Sequence, residues 1–171
     1  EEYIFKISQM DSSDKVFTDK APLNFRYIGF IKNIFPNSKI INCNRDPIDT
    51  CWSNYKNFFS GNLLFTNNLN DLAEYYNQYT DIMKFWKNLF KEDIFDLKYQ
   101  ELVENPNSQI KKILNFCELA WDENCLKHEN NSKSIKTASL AQARKPIYKS
   151  AIKSSEPYKQ YLNKLVKNIE Y

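Results

Sequence analysis

Glycine is almost absent from this 171-residue chain, which contains only Gly29 and Gly61. Loops that hold phosphates with backbone N–H groups need closely spaced glycines, as in the patterns Gly-x-x-x-x-Gly-Lys-Ser/Thr and Gly-x-Gly-x-x-Gly. Neither glycine stands in such a pattern. The sequence therefore contains no glycine-rich phosphate loop, and an anionic ligand would have to be held in another way.

Residues typical of metal sites and of nucleophilic catalysis are also scarce. The only histidine is His128, in a polar stretch that we interpret as surface loop. The four cysteines show no CxxC spacing and are expected to be buried free thiols; they are Cys43, Cys51, Cys117 and Cys125. We therefore expect no metal and no nucleophilic Cys or Ser/His/Asp set, and no general base is evident.

Long apolar runs and a strong charge imbalance are missing as well. The chain starts at Glu1 without an initiator Met or signal peptide, has no transmembrane run, and carries a net charge of +3. This mild basicity suits a small anionic ligand but not a nucleic acid. We expect no membrane association and a cytoplasmic location.

The most informative stretch joins a predicted strand to a predicted helix. Residues 39–44 are rich in β-branched side chains, Asp46 is a typical helix N-cap, and Pro47 suits the first helical position. Helix N-termini beyond the carboxyl ends of parallel strands attract anions, and Arg45 adds a forked cation there. These residues predict a phosphate site. Pairing of Arg45 with Asp46 or Asp49 for structure alone is the alternative.

Ser53 extends the predicted site along the helix. Positions 46, 49/50 and 53 share one helical face, and Ser53 lies about 10 Å along the axis from the cap. A phosphate placed on the cap would not reach both ends of this face. The ligand is therefore expected to lie along the helix.

Hydrophobic periodicity predicts an α/β fold in one domain spanning residues 1–171. The predicted strands are 15–18, 39–44 and 94–99, and the predicted helices are 24–35, 47–60, 69–90, one beginning at Pro106, and 156–169. About three parallel strands covered by helices are therefore expected. The tyrosines of 69–90 are interpreted as packing residues rather than a binding surface.

Arg45-Asp46-Pro47, with Ser53 eight residues after the arginine, resembles the 3′-phosphate motif of sulfotransferases that use PAPS, the adenine nucleotide carrying a sulfuryl group. Three further segments look like the same family, in the same order; they are 17–24, 97–103 and 137–148. The ordered set is most similar to the tyrosylprotein and bacterial sulfotransferase branch. This resemblance implies a P-loop-type sheet.

The resemblance also implies a role for each matching residue. Lys20 and Ser139 would lie at the transferring group as catalytic residues, and Arg45 and Ser53 would bind the 3′-phosphate. The other implied nucleotide contacts are Tyr99, Gln142, Arg144, Lys145 and Lys153. An exposed loop position for Lys20 and a core position for Tyr99 are the alternatives. Asn57 stands where the family has a basic residue, which implies a weaker hold on the 3′-phosphate.

The family carries a glycine-rich 5′-phosphosulfate loop that this sequence lacks. We therefore expect an N-terminally truncated domain, the C-terminal portion of a PAPS-dependent sulfotransferase. This portion is expected to be inactive alone. In the complete protein, PAPS would be converted to adenosine 3′,5′-bisphosphate. The acceptor would bear a hydroxyl or a phenol. Exposed sheet edge predicts self-association, as in a homodimer. The alternatives are a nucleotide kinase-like P-loop enzyme and a non-catalytic helical protein-interaction module.

Overall fold

Two short parallel strands position the candidate site. The computed structural model describes residues 2, 5, 16–57, 59, 63–130, 147 and 149–170. Strand β1 (Ile40–Asn44) pairs in parallel with β2 (Ile94–Lys98), in a register that runs from Ile40 opposite Ile94 to Asn44 opposite Lys98. Both strands were predicted to within one residue at each end, and the chain is α/β as expected.

The third predicted strand is not seen in the described part of the chain. Val16 to Thr18, which the sequence placed in a strand, has no regular secondary structure, and the sheet has two strands. The ring of Phe17 packs edge-on against Phe35, 6.3 Å between centroids. The apolar residues of this segment are thus used in a side-chain contact, and no strand ladder forms there among the described residues.

Helices surround the sheet. The α-helices of the described residues are α1 (Ile28–Ile34), α2 (Pro47–Tyr55), α3 (Leu69–Leu89), α4 (Tyr99–Glu104), α5 (Pro106–Phe116) and α6 (Asn163–Asn168). Short 3₁₀ helices occupy Pro22–Tyr27, Leu64–Asn67, Lys91–Asp93, Glu123–Leu126, His128–Asn130 and Glu156–Tyr161. The long helix α3 and the proline-initiated starts of α2 and α5 match the sequence prediction.

Two predicted helices are wound differently from the prediction. The segments 24–35 and 156–169 each begin as a 3₁₀ helix and continue as a short α-helix. With three residues per turn, a 3₁₀ segment turns different side chains inward than an α-helix does. Tyr27, Tyr158 and Tyr161, which lie on the apolar faces of the predicted helices, are consequently exposed. Helix α2 also ends at Tyr55, earlier than predicted.

Helix α3 organises the hydrophobic core against α2 and α6. Its Leu72 and Ala73 pack with Cys51 of α2 and with Leu165 and Ile169 at the end of the chain. The tyrosines of α3 are packing residues, as predicted: Tyr75 stacks on Phe65 with ring centroids 3.9 Å apart, Tyr76 packs against the core, and Tyr79 meets Phe25. This core fixes α2 relative to the segment 149–170.

One face of the sheet carries a polar network that the sequence did not indicate. Asp96 of β2 accepts hydrogen bonds from the amides of Asn42 and Asn44, and the Tyr79 hydroxyl lies 2.9 and 3.0 Å from the oxygens of the same two amides. Burial raises the pKa of Tyr79. Partial burial opposes ionisation of Asp96, but hydrogen bonds from Lys87 and Asn42 lower its pKa overall. The network ties both strands to α3.

The cysteines only partly follow the prediction of buried thiols. All four are free; Cys51 is buried, Cys117 and Cys125 are partly covered, and Cys43 is exposed on β1. Burial, with a contribution from the Asp46 carboxylate, raises the pKa of Cys51 to about 12. Cys51 is therefore a packing residue and not a nucleophile. Cys43 is exposed because its face of β1, which also carries the 39% exposed Ile41, is open in the described part of the chain.

Candidate functional site

Arg45 and Tyr99 meet where the two parallel strands end. The last paired residues are Asn44 and Lys98, so Arg45 and Tyr99 are the next residue of each chain segment. The guanidinium carbon of Arg45 lies 5.7 Å from the centroid of the Tyr99 ring, within cation–π distance. Tyr99 begins α4 and does not end a strand as predicted. The carboxyl edge of the sheet nevertheless brings these two predicted nucleotide contacts together.

The start of α2 has the local geometry that the sequence predicted. The Asp46 side chain accepts a hydrogen bond from the backbone N–H of Asp49 at 2.8 Å, and Pro47 is the first helical residue. The helix therefore presents a capped N-terminus directly after β1, next to Arg45. Ser53 is half-buried near the other end of α2, and its backbone carbonyl accepts a hydrogen bond from the Asn57 side chain at 2.6 Å.

The guanidinium of Arg45 is anchored to a segment more than a hundred residues away. Its Nη2 donates to the carbonyl of Ala151 and to the Ser154 hydroxyl, the latter at 2.8 Å. The side chain is 19% exposed, and Nη2 lies 3.8 Å from an oxygen of Asp49. The buried Nε of Arg45 has no hydrogen-bond partner in the described part of the chain. Unpaired buried donors are uncommon in folded proteins, so this nitrogen needs an explanation.

Anchoring places the guanidinium beside the first turn of α2 rather than on the cap. Asp49, its neighbour, is four residues before Ser53, and residues so spaced lie on one helical face about 6 Å apart along the axis. Ser53 therefore follows Asp49 on the face of α2 that the guanidinium approaches.

Asp49 is the acceptor at the centre of this arrangement, a role that sequence reasoning missed. Its side chain is buried, with the residue 1% exposed. Oδ2 accepts the N–H of Lys153 at 2.7 Å, and Oδ1 accepts the N–H of Ser155 at 2.9 Å and its hydroxyl at 2.7 Å. The sequence indicated only a pairing of Asp49 with Arg45, because partners more than a hundred residues away leave no local pattern.

Lys153, a predicted nucleotide contact, lies in the segment that holds Arg45. It stands between Ala151 and Ser154, its side chain is exposed, and its backbone has a φ of 56°. This left-handed conformation is unfavourable for a residue with a Cβ. The structure therefore brings Lys153 to the neighbourhood of Arg45 through a backbone conformation that Asp49 supports.

The structure does not bring Lys20 to this place. Lys20 is exposed in a segment without regular secondary structure, directly before the 3₁₀ helix Pro22–Tyr27, and so does not follow a strand as predicted. Within the described residues it makes no hydrogen bond or ion pair with Arg45 or its partners. The predicted site residues Ser139, Gln142, Arg144 and Lys145 lie outside the described residues, as does most of the 137–148 loop.

The described residues include neither a cluster of metal ligands nor a membrane-spanning helix. Among them, no group of three or more His, Cys, Asp or Glu side chains is arranged to hold a metal ion. None of the described helices is both long and apolar enough to cross a membrane.

Comparison with known proteins assigns the family. The sequence model described as "Sulfotransferase family" matches residues 1–123. The chain is 34% identical to an uncharacterised protein of Aquifex aeolicus (strain VF5), over 98% of this chain and 22% of that protein. It is 24% identical to protein-tyrosine sulfotransferase A of Caenorhabditis elegans, over 65% of this chain and 30% of that protein. The chain belongs to the sulfotransferase family, and it spans less than a third of the length of these two relatives.

Proposed function

We propose that this chain provides the 3′-phosphate-binding half of a PAPS site, in a protein that transfers a sulfuryl group to a hydroxyl or phenol acceptor. Membership of the sulfotransferase family supports sulfuryl transfer in general. The observation that carries the finer proposal is the position of Arg45, which follows β1, adjoins the capped N-terminus of α2 and has a buried Nε without a partner among the described residues. PAPS, when bound, supplies the activated sulfuryl group.

Arg45 and Ser53 are proposed to hold the 3′-phosphate between them. Nη2 of Arg45 is engaged by the segment 149–155, whereas Nε and Nη1 donate to no described residue. Charge-assisted hydrogen bonds to phosphate oxygens are short and strong, at about 2.7–2.9 Å. Nε is covered by protein atoms, so a phosphate reaches it only after a small movement of the covering residues. Asp49 offsets part of the positive charge, and the N-terminus of α2 adds to it.

The remaining predicted residues complete the proposal. Tyr99 would lie against the nucleotide at the strand ends, and Lys153 would add positive charge beside Arg45. The others keep the roles that the resemblance implies: Lys20 and Ser139 at the transferring group, and Gln142, Arg144 and Lys145 along the nucleotide. Lys20 would neutralise charge that develops on the leaving phosphate, the main requirement of such a transfer. The open face of β1 is proposed to support self-association.

The 171 residues alone are expected to show little transferase activity, because the sequence has no glycine-rich loop for the 5′-phosphosulfate and no evident base. The kinase-like alternative requires a Gly-x-x-x-x-Gly-Lys-Ser/Thr loop, which the sequence also lacks. One observation favours a purely structural role for Arg45, in a non-catalytic protein: its Nη2 is already bound to Ala151 and Ser154. A binding experiment separates this candidate from the nucleotide site.

The test is calorimetric titration with adenosine 3′,5′-bisphosphate and, separately, adenosine 5′-monophosphate. The bisphosphate should bind more tightly, and Arg45→Ala should remove that difference, because a hydrogen bond to a charged group contributes about 1.5–3 kcal/mol, or roughly tenfold to a hundredfold in affinity. Arg26→Ala is the matched control, since Arg26 is exposed and lies over Tyr27. Equal affinity of the wild-type chain for both nucleotides would contradict the proposal.

A further inference from the structure

We propose that Asp49 is the positioning residue of the Arg45 site: it fixes the segment 151–155 on α2, and this segment in turn holds the guanidinium for an anionic ligand. The inference deepens the proposed function and rests on it. Asp49 itself does not contact the nucleotide in this arrangement. Recognition of the 3′-phosphate nevertheless depends on the Asp49 carboxylate, which carries the same sign of charge as the ligand.

The hydrogen bonds of Asp49 show what its carboxylate is used for. A buried carboxylate is very unfavourable unless hydrogen bonds or opposite charge compensate it. Three donors of Lys153 and Ser155 lie 2.7–2.9 Å from its oxygens, and the guanidinium of Arg45 lies farther away, at 3.8 Å. The short contacts go to the segment 151–155 and not to the arginine. Asp49 therefore acts on Arg45 mainly through that segment.

The same segment makes the direct contacts with Arg45. The Ala151 carbonyl and the Ser154 hydroxyl both accept from Nη2. Asp49 accepts from the N–H of Lys153 and from Ser155, and its Oδ1 lies 3.5 Å from the Ser154 hydroxyl. The contacts of Arg45 and those of Asp49 thus fall within the same five consecutive residues. A shift of this segment moves both sets together, so loss of Asp49 should release the guanidinium.

The backbone of Lys153 supports this dependence. Its φ of 56° is unfavourable for a non-glycine residue, and its N–H is one of the donors to Asp49. The carbonyl of Lys153 also accepts the N–H of Glu156 at 3.1 Å, so Asp49 supports the N–H side of this residue. Loss of Asp49 should therefore weaken the left-handed conformation and shift the chain at Ala151 and Ser154.

The first arm of the test needs no ligand. The Arg45 Nε–H is buried, so in ¹H–¹⁵N spectra of the wild-type chain it should give a resolved signal that exchanges slowly with water, as should the Lys153 and Ser155 amides. In Asp49→Asn all three signals should shift and exchange at least tenfold faster. Asp71→Asn is the control, because Asp71 is an exposed acid in the first turn of α3. Unchanged exchange at Arg45 in Asp49→Asn would overturn the inference.

The second arm measures affinity for adenosine 3′,5′-bisphosphate relative to adenosine 5′-monophosphate. Asp49→Asn should lower the affinity for the bisphosphate at least tenfold and leave that for the monophosphate within about twofold, because only the hold on the 3′-phosphate is lost. A merely structural residue would weaken both equally or neither, and either result overturns the inference. If the wild-type chain shows no preference for the bisphosphate while Asp49→Asn still releases Arg45, the proposed function fails and the positioning role stands.

A milder pair of variants covers the case in which Asp49→Asn does not fold. Ser155→Ala removes one hydroxyl donor to Asp49 and leaves both backbone bonds, and Ser155→Thr restores the hydroxyl. We expect faster exchange at Arg45 Nε–H and a partial loss of bisphosphate preference in the alanine variant, with recovery in the threonine variant. Wild-type behaviour of Ser155→Ala in both measurements would count against the inference.

Discussion

Substituting Gly29 by alanine tests how tightly α1 packs on α3. A Cβ placed on Gly29 would lie 2.7 and 2.8 Å from two ring carbons of Trp86, whereas carbon atoms in good contact are about 3.5–4.0 Å apart. Either the indole or α1 must therefore move by nearly an ångström. The glycine is needed for this close approach and not for an unusual backbone conformation.

The Trp86 ring has little freedom to move. Its Nε1 donates to the Phe25 carbonyl at 2.8 Å, and the ring is flanked by Phe85 and Phe90 with centroids 4.8 and 6.0 Å away. Overpacking of this kind costs about 1–3 kcal/mol. Alanine gains at most about 1 kcal/mol over glycine in a helix. With the full helix-propensity gain, the expected net loss is about 0–2 kcal/mol of unfolding free energy, or up to roughly 8 °C in Tm for a chain of this size.

Thermal and urea unfolding followed by circular dichroism would measure this loss. Asn33→Ala, at an exposed position of the same helix, is the control for helix propensity and should be neutral or slightly stabilising. In a Trp86→Leu background, which removes the clashing ring, Gly29→Ala should lose its penalty. An increase in the stability of the wild-type background by Gly29→Ala would refute the packing argument.

The remaining predictions concern ionisable groups. The hydrogen bond from the buried Lys32 lowers the pKa of Asp93, so the stabilisation it gives is present above the unfolded pKa of about 3.9 and is lost as pH falls through the lower folded value. Asp93→Asn should therefore destabilise the chain by a similar amount at pH 7 and pH 5, and by progressively less as pH falls below about 3.9, in urea unfolding. A loss that stays undiminished as pH falls would contradict the ion pair. With its pKa near 12, Cys51 should be about one ten-thousandth thiolate at pH 8. Cys51 should react with a thiol reagent only after unfolding. The variant Cys51→Ser is the control, because it should lack the thiol that reacts late. Rapid labelling of Cys51 in the folded chain would contradict its burial.

The parts of the fold that could be predicted are those encoded within about ten residues. The strand before Arg45, the cap at Asp46 and the proline start of α2 each depend on neighbouring residues, and all are present as predicted. Helix α3 was predictable because its apolar residues recur at helical spacing over many turns. The segments that begin as 3₁₀ helices could not be predicted, because the spacing of apolar residues over a few positions does not distinguish a 3₁₀ helix from an α-helix.

The candidate site was predictable only in part, because its contacts join residues far apart in sequence. The meeting of Arg45 and Tyr99 could be anticipated, since residues that follow parallel strands share one edge of the sheet. The contacts of Asp49 with Lys153 and Ser155 could not, because they span more than a hundred residues and involve mainly backbone N–H groups, which every residue type except proline provides. The left-handed backbone of Lys153 likewise has no local signal such as glycine or asparagine.

The contacts of Arg45 show that a structural role and a ligand-binding role are compatible in this residue. The sequence presented a structural pairing and a ligand contact as alternatives. Among the residues that the structure describes, the contacts of Arg45 with hydrogen-bond acceptors are made by Nη2, whereas the buried Nε has no partner there. A residue kept only for structure gains nothing from an unpaired buried donor, which costs about 1–3 kcal/mol. The two interpretations are therefore complementary: the contacts of Nη2 hold the guanidinium beside the first turn of α2, and Nε and Nη1, which donate to no described residue, remain for the proposed ligand once the residues that cover Nε move.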